Sequence, residues 1–506
     1  MSFNKVLVAN RGEIALRVMR ACKELGIPTA TVYSEADDRS LHTKLADEAY
    51  PIGPPEPSES YLNMEKILDV CQEAGCDALH PGYGFLAEDP HFAEMCEDRN
   101  IVFIGPDAGS LRTLGAKIPA RKIANEVGIP VIPGSLEPVH TARNAQRLAE
   151  ELGYPVLVKA SGGGGGKGMR LVRGEDEIEK AISLAVEEAS ISFGNSEVYL
   201  EKVIPSPRHI EVQTLTDSFG NVRHFFEREC SIQRRHQKIL EESPSPTVRR
   251  ETRDQLLRYA LILIESSGYR NVGTVEFLVD LGGNPYFLEV NSRIQVEHPV
   301  TEAVTGIDLV KEQILASAGE VVSRRQEEIH TSGHAIECRI YAEDPFNEFS
   351  PSPGRILTHL APSGDVRVET EAYDGWVVSP YYDTLISKVI TWGRDRVEAI
   401  GKMRVALDDY RITGIRTTIP LHRRMMDNED FLEGRIDTAF LERNGDELLH
   451  RELSQLYLLA SAALREHIQT PRGRPATQPK LPVGRWRAKG REELHFSASR
   501  SRRGWR

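Results

Sequence analysis

A β-hairpin is predicted by the stretch Glu276-Phe-Leu-Val-Asp-Leu-Gly-Gly-Asn-Pro-Tyr-Phe-Leu-Glu-Val-Asn291, in which two apolar runs flank the turn Gly282-Gly-Asn284. A turn centred between the two glycines would place Glu276 directly opposite Glu289, with Asn291 two residues further along the same face. Two facing carboxylates destabilise a sheet unless a positive charge lies between them. The hairpin therefore predicts an all-oxygen site suited to Mg²⁺, whereas a register shifted by one residue would leave an exposed acidic face.

Polar and apolar residues alternate directly after the hairpin, in the sequence Asn291-Ser-Arg-Ile-Gln-Val-Glu-His-Pro299. On an extended strand this alternation places Arg293, Gln295 and Glu297 on one face. A cation, an amide and a carboxylate beside a metal site can bind a small anion and move a proton. The same pattern describes a solvated strand face. Likewise, the cluster Cys230-Ser-Ile-Gln-Arg-Arg-His-Gln-Lys238 is either a basic surface patch or part of an anion site.

A glycine run follows another predicted strand, where Pro155-Val-Leu-Val-Lys159 leads into Ser161-Gly-Gly-Gly-Gly-Gly-Lys-Gly-Met169. The exposed N–H groups of such a backbone can bind phosphate oxygens. The run is not a Walker A loop, because Lys167 is not followed by Ser or Thr. A flexible linker is the alternative, but the two lysines favour a nucleotide triphosphate.

Strands and helices alternate over the first 110 or so residues, which predicts a doubly wound α/β domain. Strands are predicted at residues 5–9 and 29–33 around a helix, but the first turn, Asn10-Arg-Gly-Glu13, lacks the GxGxxG pattern that would favour NAD. A second α/β unit begins near residue 115, and short strands with one helix from residue 333 onward predict a third, mixed domain. The fold class is therefore α/β and α+β, in several domains.

Charge is unevenly distributed along the 506 residues, whose net charge is −12. Residues 471–506 hold eleven Lys and Arg against two Glu, which makes this tail +9 and the remainder −21. The acidic body argues against a nucleic-acid groove as the main function. The tail can contact an acidic partner subunit, bind nucleic acid weakly or be a solvated terminus.

The cellular location of the protein is predicted from the absence of targeting and membrane-spanning segments in this sequence. No signal-peptide hydrophobic region opens the chain, and no run approaches the ~20 apolar residues that span a bilayer. The six cysteines contain no CxxC pattern, so we expect reduced thiols, mostly in the core. These features predict a soluble, cytoplasmic protein that is not bound to a membrane.

Over about residues 1–447 the chain resembles biotin carboxylase, the ATP-grasp component of biotin-dependent carboxylases. The motifs that carry the resemblance are Val8-Ala-Asn-Arg-Gly-Glu-Ile-Ala15, His80-Pro-Gly-Tyr-Gly-Phe-Leu-Ala-Glu88, Lys159-Ala-Ser-Gly-Gly-Gly-Gly-Gly-Lys-Gly-Met169, Glu229-Cys-Ser-Ile-Gln-Arg-Arg-His-Gln-Lys238 and Glu289-Val-Asn-Ser-Arg-Ile-Gln-Val-Glu-His-Pro299. The resemblance implies an ATP-dependent carbon–nitrogen ligase that uses MgATP, or MnATP, and bicarbonate to carboxylate biotin through carboxyphosphate. This is the first half-reaction of an acyl-CoA or pyruvate carboxylase.

The resemblance also implies domain boundaries. They are an N-terminal domain at residues 1–114, an ATP-grasp domain at 115–332 with a mobile glycine-rich lid at about 132–203, a C-terminal domain at 333–447, and a helical and basic extension at 448–506.

Individual residues receive roles from the same resemblance. Those expected at the nucleotide are Lys117, Lys159, Gly164, Gly165, Gly166, Glu201, Lys202, His209, Gln233, His236, Glu276 and Leu278. The expected metal ligands are Glu276, Glu289 and Asn291. Bicarbonate and biotin would contact Lys238, Arg293, Gln295, Val296, Glu297 and Arg339. Among these, Lys238, Arg293, Glu297 and Arg339 are expected to be catalytic, with Glu297 as the base for bicarbonate and Arg293 as the cation beside the biotin enolate.

The resemblance also implies partner proteins, and two alternative functions remain open. The sequence contains no Ala-Met-Lys-Met biotinylation motif, so we expect biotin on a separate carrier protein and the carboxyltransferase on another chain. A homodimer and no specific nucleic acid are expected, while the residue pattern does not identify the final carboxyl acceptor. One alternative is another ATP-grasp ligase that phosphorylates bicarbonate or a carboxylate. The other is a nucleotide-binding subunit without catalytic activity.

Overall fold

The computed structural model describes residues 3–139, 141–161, 169–193, 197–450 and 464–465. The chain divides into two compact units, Met1–His450 and Arg451–Arg506. Most of the predicted helical and basic extension at 448–506, including all of the basic tail 471–506, lies outside the described residues. Among the helices of the described part, none is both long enough and apolar enough to cross a membrane.

The N-terminal part of the first unit is a five-stranded parallel sheet in the order β3-β2-β1-β4-β5. Its strands are β1 (Val6–Val8), β2 (Thr29–Ser34), β3 (Glu48–Gly53), β4 (Ala78–His80) and β5 (Val102–Phe103), and its helices are α1 (Gly12–Glu24), α2 (Leu41–Leu45), α3 (Met64–Glu73), α4 (Pro90–Asp98) and α5 (Ala108–Leu114). Val6 and Val8 pack into one hydrophobic cluster and Leu7 into another, because neighbouring strand residues point to opposite faces. Both faces are covered, which confirms the predicted doubly wound domain.

A small antiparallel sheet in the order β7-β6-β8 follows along the chain. Its strands are β6 (Val156–Ala160), β7 (Arg170–Val172) and β8 (Val198–Lys202), and the helices of this region are α6 (Lys117–Glu126), α7 (Ala142–Leu152) and α8 (Ile178–Phe193). The sheet and helices α7 and α8 share a hydrophobic cluster of their own. The sheet lies within the segment expected to form a lid, whose boundaries and mobility stay a prediction.

The largest element is an eight-stranded antiparallel sheet in the order β13-β12-β9-β10-β11-β14-β21-β19. Its strands are β9 (Arg208–Thr216), β10 (Val222–Arg234), β11 (Gln237–Ser243), β12 (Asn271–Val279), β13 (Pro285–Asn291), β14 (His334–Tyr341), β19 (Arg367–Thr370) and β21 (Leu385–Gly393). Strand β11 pairs with β14 across the boundary predicted at residue 332, so the expected second and third domains share one continuous sheet.

Shorter elements surround the large sheet. The remaining strands are β15 (Glu343–Asp344), β16 (Ser350–Pro351), β17 (Gly354–Arg355), β18 (Thr358–Leu360), β20 (Val377–Val378) and β22 (Arg411–Thr413). The remaining helices are α9 (Arg250–Ser267), α10 (His298–Thr305), α11 (Leu309–Ser317), α12 (Arg396–Asp409), α13 (Ile419–Met425), α14 (Glu429–Leu432), α15 (Phe440–Arg443) and α16 (Gly445–Leu448). Helix α12 packs on β14 and β21 around the buried residues Ala399 and Met403, which form part of the C-terminal core.

Candidate active site

The β12–β13 hairpin has the predicted pairing of Glu276 with Glu289, but it reaches this pairing by a different route. Phe277 pairs with Phe287, which centres the turn half a residue earlier than predicted. Leu288 is then an extra residue in β13, a β-bulge that restores the predicted pair one step later. Without the bulge, the register would be off by one residue and the two carboxylates would lie on opposite faces.

The two carboxylates belong to a longer row that crosses three strands. Glu211 on β9 is the neighbour of Glu276 on β12, which in turn faces Glu289 on β13. The Lys238 ammonium lies 2.5 Å from Glu211 and 2.8 Å from Glu276. Glu211 was not predicted as a site residue. It stands two residues after His209, and strand alternation from His209 would have placed it on the same face.

Glu276 is held ionised by its neighbours. Gln233 donates an amide N–H to Nδ1 of His209 at 2.7 Å, so the ring proton is on Nε2. Nε2 donates that proton in a hydrogen bond to Oε2 of Glu276 at 2.8 Å. Burial raises the pKa of Glu276, but the opposing charge of Lys238 and the bond from His209 outweigh it and leave the pKa below its usual range. The group is therefore a carboxylate at neutral pH.

The second carboxylate, Glu289, forms an ion pair with Lys117 at 2.9 Å. Burial disfavours the charge on Lys117, but Glu289 outweighs this effect and raises the pKa of the lysine. Asn291 donates through Nδ2 to Glu276 at 2.7 Å, which brings the third predicted metal ligand to the same place. Two carboxylates and an amide oxygen are the hard donors that Mg²⁺ prefers, so these residues fit the ion.

After Asn291 the chain leaves the sheet, so the predicted strand alternation is wrong. The backbone bends and turns into helix α10, and proximity arises from that turn instead. Arg293 donates through Nη1 to Oε1 of Gln295 at 2.9 Å, through Nη2 to Oδ1 of Asn291 at 3.1 Å, and through Nε to Glu88 at 3.0 Å. Nε2 of Gln295 is buried and has no hydrogen-bond partner within the described part of the chain. A free buried donor beside a guanidinium is suited to an anion.

Glu297 lies between two cations. Its carboxylate is 2.8 Å from Lys238 and 2.9 Å from Nη2 of Arg339. Burial opposes ionisation, but Lys238 and then Arg339 hold the pKa of Glu297 well below its ordinary value. The neighbouring Val296 uses its main-chain carbonyl to accept a 2.8 Å bond from the buried Lys388. Lys238 thus joins the carboxylate row to the loop that carries Arg293.

The nucleotide residues predicted on the small sheet have side chains that already contact other protein groups. Glu201 is buried, lies 2.5 Å from Arg121, and forms a second ion pair with Lys159. Lys202 donates through Nζ to the main-chain carbonyl of Gly153. The main chain here is also engaged, since the Lys202 N–H donates to the carbonyl of Pro133 at 2.7 Å and Glu201 pairs with Leu157 of β6. Gly164, Gly165 and Gly166 lie outside the described residues.

Two further predicted nucleotide residues flank the site on the large sheet. His236 is exposed at the turn between β10 and β11, with a positive φ of 67°. Leu278 pairs with His209 in the sheet and is partly buried. The cluster at residues 230–238 is thus a hairpin, and its Cys230 and Gln233 are buried rather than part of a surface patch.

Three family models match the chain. They are the biotin carboxylase N-terminal domain at residues 2–111, the carbamoyl-phosphate synthase L chain ATP-binding domain at 116–325, and the biotin carboxylase C-terminal domain at 337–443.

Relatives of known name extend the match over most of the chain. A pyruvate carboxylase subunit of Methanothermobacter thermautotrophicus is 52% identical over 441 residues, 87% of this chain and 90% of the relative. Biotin carboxylase 1 of Bacillus subtilis is 51% identical over 440 residues, 87% of this chain and 98% of the relative.

A solved structure shows the same architecture. The biotin carboxylase domain dimer of 2-oxoglutarate carboxylase from Hydrogenobacter thermophilus, in complex with MgADP, ADP and bicarbonate, has a TM-score of 0.87 at 47% identity. The likeness covers 89% of this chain and all of that one. Because identity near 50% extends over nearly the whole length of these proteins, the chain belongs to the biotin carboxylase family.

Proposed function

We propose that this site carboxylates biotin with bicarbonate and MgATP through carboxyphosphate. The observation that carries the proposal is the position of Lys238, whose ammonium contacts Glu276 of the hairpin and Glu297 of the adjoining loop at 2.8 Å each. A metal–phosphate site and an anion site therefore share one cation. A reaction that transfers phosphate from ATP to bicarbonate needs these two sites side by side.

The hairpin forms the phosphate side of the site. Glu276, Glu289 and Asn291 hold Mg²⁺, which neutralises phosphate charge and orients the transferred phosphoryl group. Lys117 and Lys159 bind phosphate oxygens. Both lysines pair with carboxylates in the structure, Lys117 with Glu289 and Lys159 with Glu201, and the pair with Glu289 raises the pKa of Lys117.

The loop after the hairpin binds bicarbonate. The Nε2–H of Gln295, which has no partner among the described residues, and the guanidinium of Arg293 supply donors for its oxygens. Glu297 accepts the bicarbonate proton. With its pKa lowered by Lys238 and Arg339, Glu297 is ionised but weakly basic, and it gains basicity when a substrate oxygen takes over one of those cations.

Biotin requires a cation where its ureido oxygen becomes negative. Arg293 fills this role, and Arg339 donates through Nη2 to Glu297 at 2.9 Å. Glu88 at 3.0 Å orients the Arg293 guanidinium. Loss of a group that stabilises a developing oxyanion costs about 10²–10³-fold in rate.

Partners follow from the relatives. Proteins of similar identity are named for pyruvate and for 2-oxoglutarate carboxylases, so we infer that the acceptor is chosen outside this chain. We also propose that biotin is carried by a separate protein, that the carboxyltransferase is another chain, and that this chain forms a homodimer. The free thiols of the six buried cysteines favour a reducing, cytoplasmic location.

We further assign the basic residues 471–506 to a partner subunit. Deleting them should weaken co-purification with the carrier or transferase, and unchanged co-purification would exclude this role.

Release of ADP by the purified chain, with Mg²⁺ and bicarbonate and with or without free biotin, tests the proposal. We expect strong stimulation by biotin, lost in Arg293→Ala and kept in the control Arg250→Ala, whose side chain is 87% exposed. ATP cleavage that ignores biotin would indicate another bicarbonate-activating ligase. Tight ATP binding without ADP release would indicate a non-catalytic subunit.

A further inference from the structure

Two consecutive carbonyl groups of the loop after the hairpin are each bonded by a buried side chain. The imidazole of His298 lies with Nδ1 2.8 Å from the main-chain carbonyl oxygen of Gln295. The ammonium of Lys388 donates to the carbonyl of Val296 at 2.8 Å. His298 and Lys388 are both completely buried, so water does not compete for either bond. The peptide units that follow Gln295 and Val296 are therefore fixed by two side chains that have no role in the reaction proposed above.

The ring of His298 is a neutral imidazole with its proton on Nδ1. Burial lowers the pKa of His298 well below its ordinary value, and the charges of Lys388 and Arg17 act in the same direction. A carbonyl oxygen can only accept, so Nδ1 donates to Gln295 and Nε2 keeps a lone pair. Nε2 is buried, has no hydrogen-bond partner within the described part of the chain, and lies 4.0 Å from Glu302. The bond from Nδ1 is thus the contact that the polar ring provides here.

Lys388 connects the loop to the N-terminal domain. Its ammonium forms an ion pair with Glu13 of helix α1 at 3.1 Å. The same carboxylate oxygen of Glu13 accepts a hydrogen bond from the hydroxyl of Tyr83. Lys388 itself belongs to β21 of the large sheet. The packing of α1 against this sheet therefore sets the position of the Val296 carbonyl.

The main-chain N–H groups of Val296 and Glu297 belong to the same two peptide units. Both units are trans, so each N–H points opposite to its carbonyl and away from His298 or Lys388. Neither N–H has a hydrogen-bond partner among the described residues, although main-chain donors normally have one. Nε2 of Gln295 likewise has none. Three adjacent donors are thus available to an anion.

We propose that His298 and Lys388 are positioning residues for bicarbonate. By holding the two carbonyls, they direct the N–H groups of Val296 and Glu297 at the anion, beside the amide of Gln295. Each acts through a peptide unit and does not touch the substrate. Donors that are already oriented lose little conformational entropy when the substrate binds. This role rests on the function proposed above for the loop.

Rates of ADP release at varied bicarbonate, with MgATP and biotin saturating, test the role of the His298 ring. His298→Leu removes the donor, and the KM for bicarbonate should rise about tenfold while the KM for ATP is unchanged. His298→Asn keeps an N–H donor on the same side-chain carbon that carries Nδ1, and should restore most of the bicarbonate affinity. His359→Leu, at a ring bonded to Tyr410, is the control. An unchanged KM in His298→Leu, or equal KM values in the Leu and Asn variants, would overturn the proposal.

A double variant tests Lys388. Glu13→Gln with Lys388→Met removes the bond to Val296 and both charges of the ion pair together, so that neither charge stays buried without its partner. The KM for bicarbonate should again rise about tenfold, with the KM for ATP unchanged. An unchanged KM for bicarbonate in the double variant would overturn the role of Lys388.

Calorimetric titration of bicarbonate into the full chain with saturating MgADP separates this inference from the proposed function, because it needs no turnover. Bicarbonate binding should weaken about tenfold in His298→Leu and recover in His298→Asn. This pattern in a chain that releases no ADP would contradict the proposed function and still support the positioning role. Equal bicarbonate binding by the unmodified chain and His298→Leu would overturn the positioning role even where ADP release is normal.

Discussion

Two of the glutamate pairs that face each other across neighbouring strands of the large sheet differ in how their charge is neutralised. Glu276 on β12 faces Glu289 on β13 near the edge of the sheet, and Glu241 on β11 faces Glu337 on β14 in its middle. The Glu289 side chain is 23% exposed, whereas Glu241 and Glu337 are completely buried. We call them the edge pair and the central pair.

Cations neutralise the edge pair. Lys238 lies 2.8 Å from Glu276 and Lys117 lies 2.9 Å from Glu289, so each carboxylate of the pair contacts an ammonium group, although Lys238 also contacts Glu211 and Glu297. The central pair is in contact with fewer cations. Arg339 lies 2.5 Å from Glu241, while neither oxygen of Glu337 has a hydrogen-bond partner within the described part of the chain.

Protons take the place of cations in the central pair. Burial raises the pKa of Glu241 to about 7, with Arg339 as the main opposing charge. Burial also raises the pKa of Glu337 well above its ordinary value, beyond what Lys388 offsets. Facing carboxylates in a sheet thus require either a cation or a proton. The edge pair, which is open to ligands, has cations that a metal and phosphates can replace.

The largest expected effect comes from removing Lys238, the cation that contacts Glu276 of the edge pair. Lys238→Gln leaves Glu211, Glu276 and Glu297 without their shared ammonium, and biotin-stimulated ADP release should fall about 10²–10³-fold. Lys122→Gln, at a lysine paired with the exposed Glu137, is the control and should retain activity.

Folding of the Lys238 variant needs a separate check, because unpaired buried carboxylates also destabilise a protein. Lys238→Arg keeps the charge and should fold, yet it should still lose most activity because the planar guanidinium cannot occupy the position of a compact ammonium. Full activity in Lys238→Arg would show that charge alone suffices.

The next effect tests the metal at the edge pair. Glu289→Gln keeps an oxygen donor but loses the charge, so the Mg²⁺ concentration for half-maximal ADP release should rise about 10–100-fold. Glu265→Gln, on the exposed face of α9, is the control. An unchanged Mg²⁺ requirement with slower turnover would assign Glu289 to holding Lys117 rather than the ion.

The smallest effect concerns the proton of the central pair. The pKa of Glu337 in the folded protein lies above its ordinary value of 4.5. The stability that its proton provides is therefore fully present below pH 4.5 and is lost progressively as the pH rises. The unfolding free energy of the unmodified chain relative to Glu337→Gln should therefore fall by about 1.4 kcal/mol per pH unit above pH 5. Urea titrations at successive pH values measure this difference.

Glu265→Gln again serves as the control for this pH series. A constant difference for Glu337→Gln would mean that Glu337 is ionised in the folded protein. Carboxylates with lowered pKa, such as Glu276 and Glu297, lose their stabilising effect only below about pH 4.5, outside the range of the measurement.

Local sequence predicted the edge pair better than its surroundings. The turn residues and apolar runs gave the hairpin and the correct partner for Glu276, although the bulge at Leu288 corrected a turn centred half a residue earlier than expected. The alternation after Asn291 failed because the chain turns into helix α10 there. Strands β9 to β11 were not predicted, since their buried faces carry charged residues that interrupt the apolar pattern.

Short segments of sequence suffice to predict the doubly wound first domain, the hairpin and the residue types of the site, because these depend on local turns and periodicity. The meeting of Glu211 with the carboxylate row, and of Glu241 with Glu337, depends on the three-dimensional arrangement of the strands. Pairing between strands distant in sequence sets which charges meet, and burial sets whether a cation or a proton neutralises them. Both depend on the order of strands in the sheet, which no single segment contains.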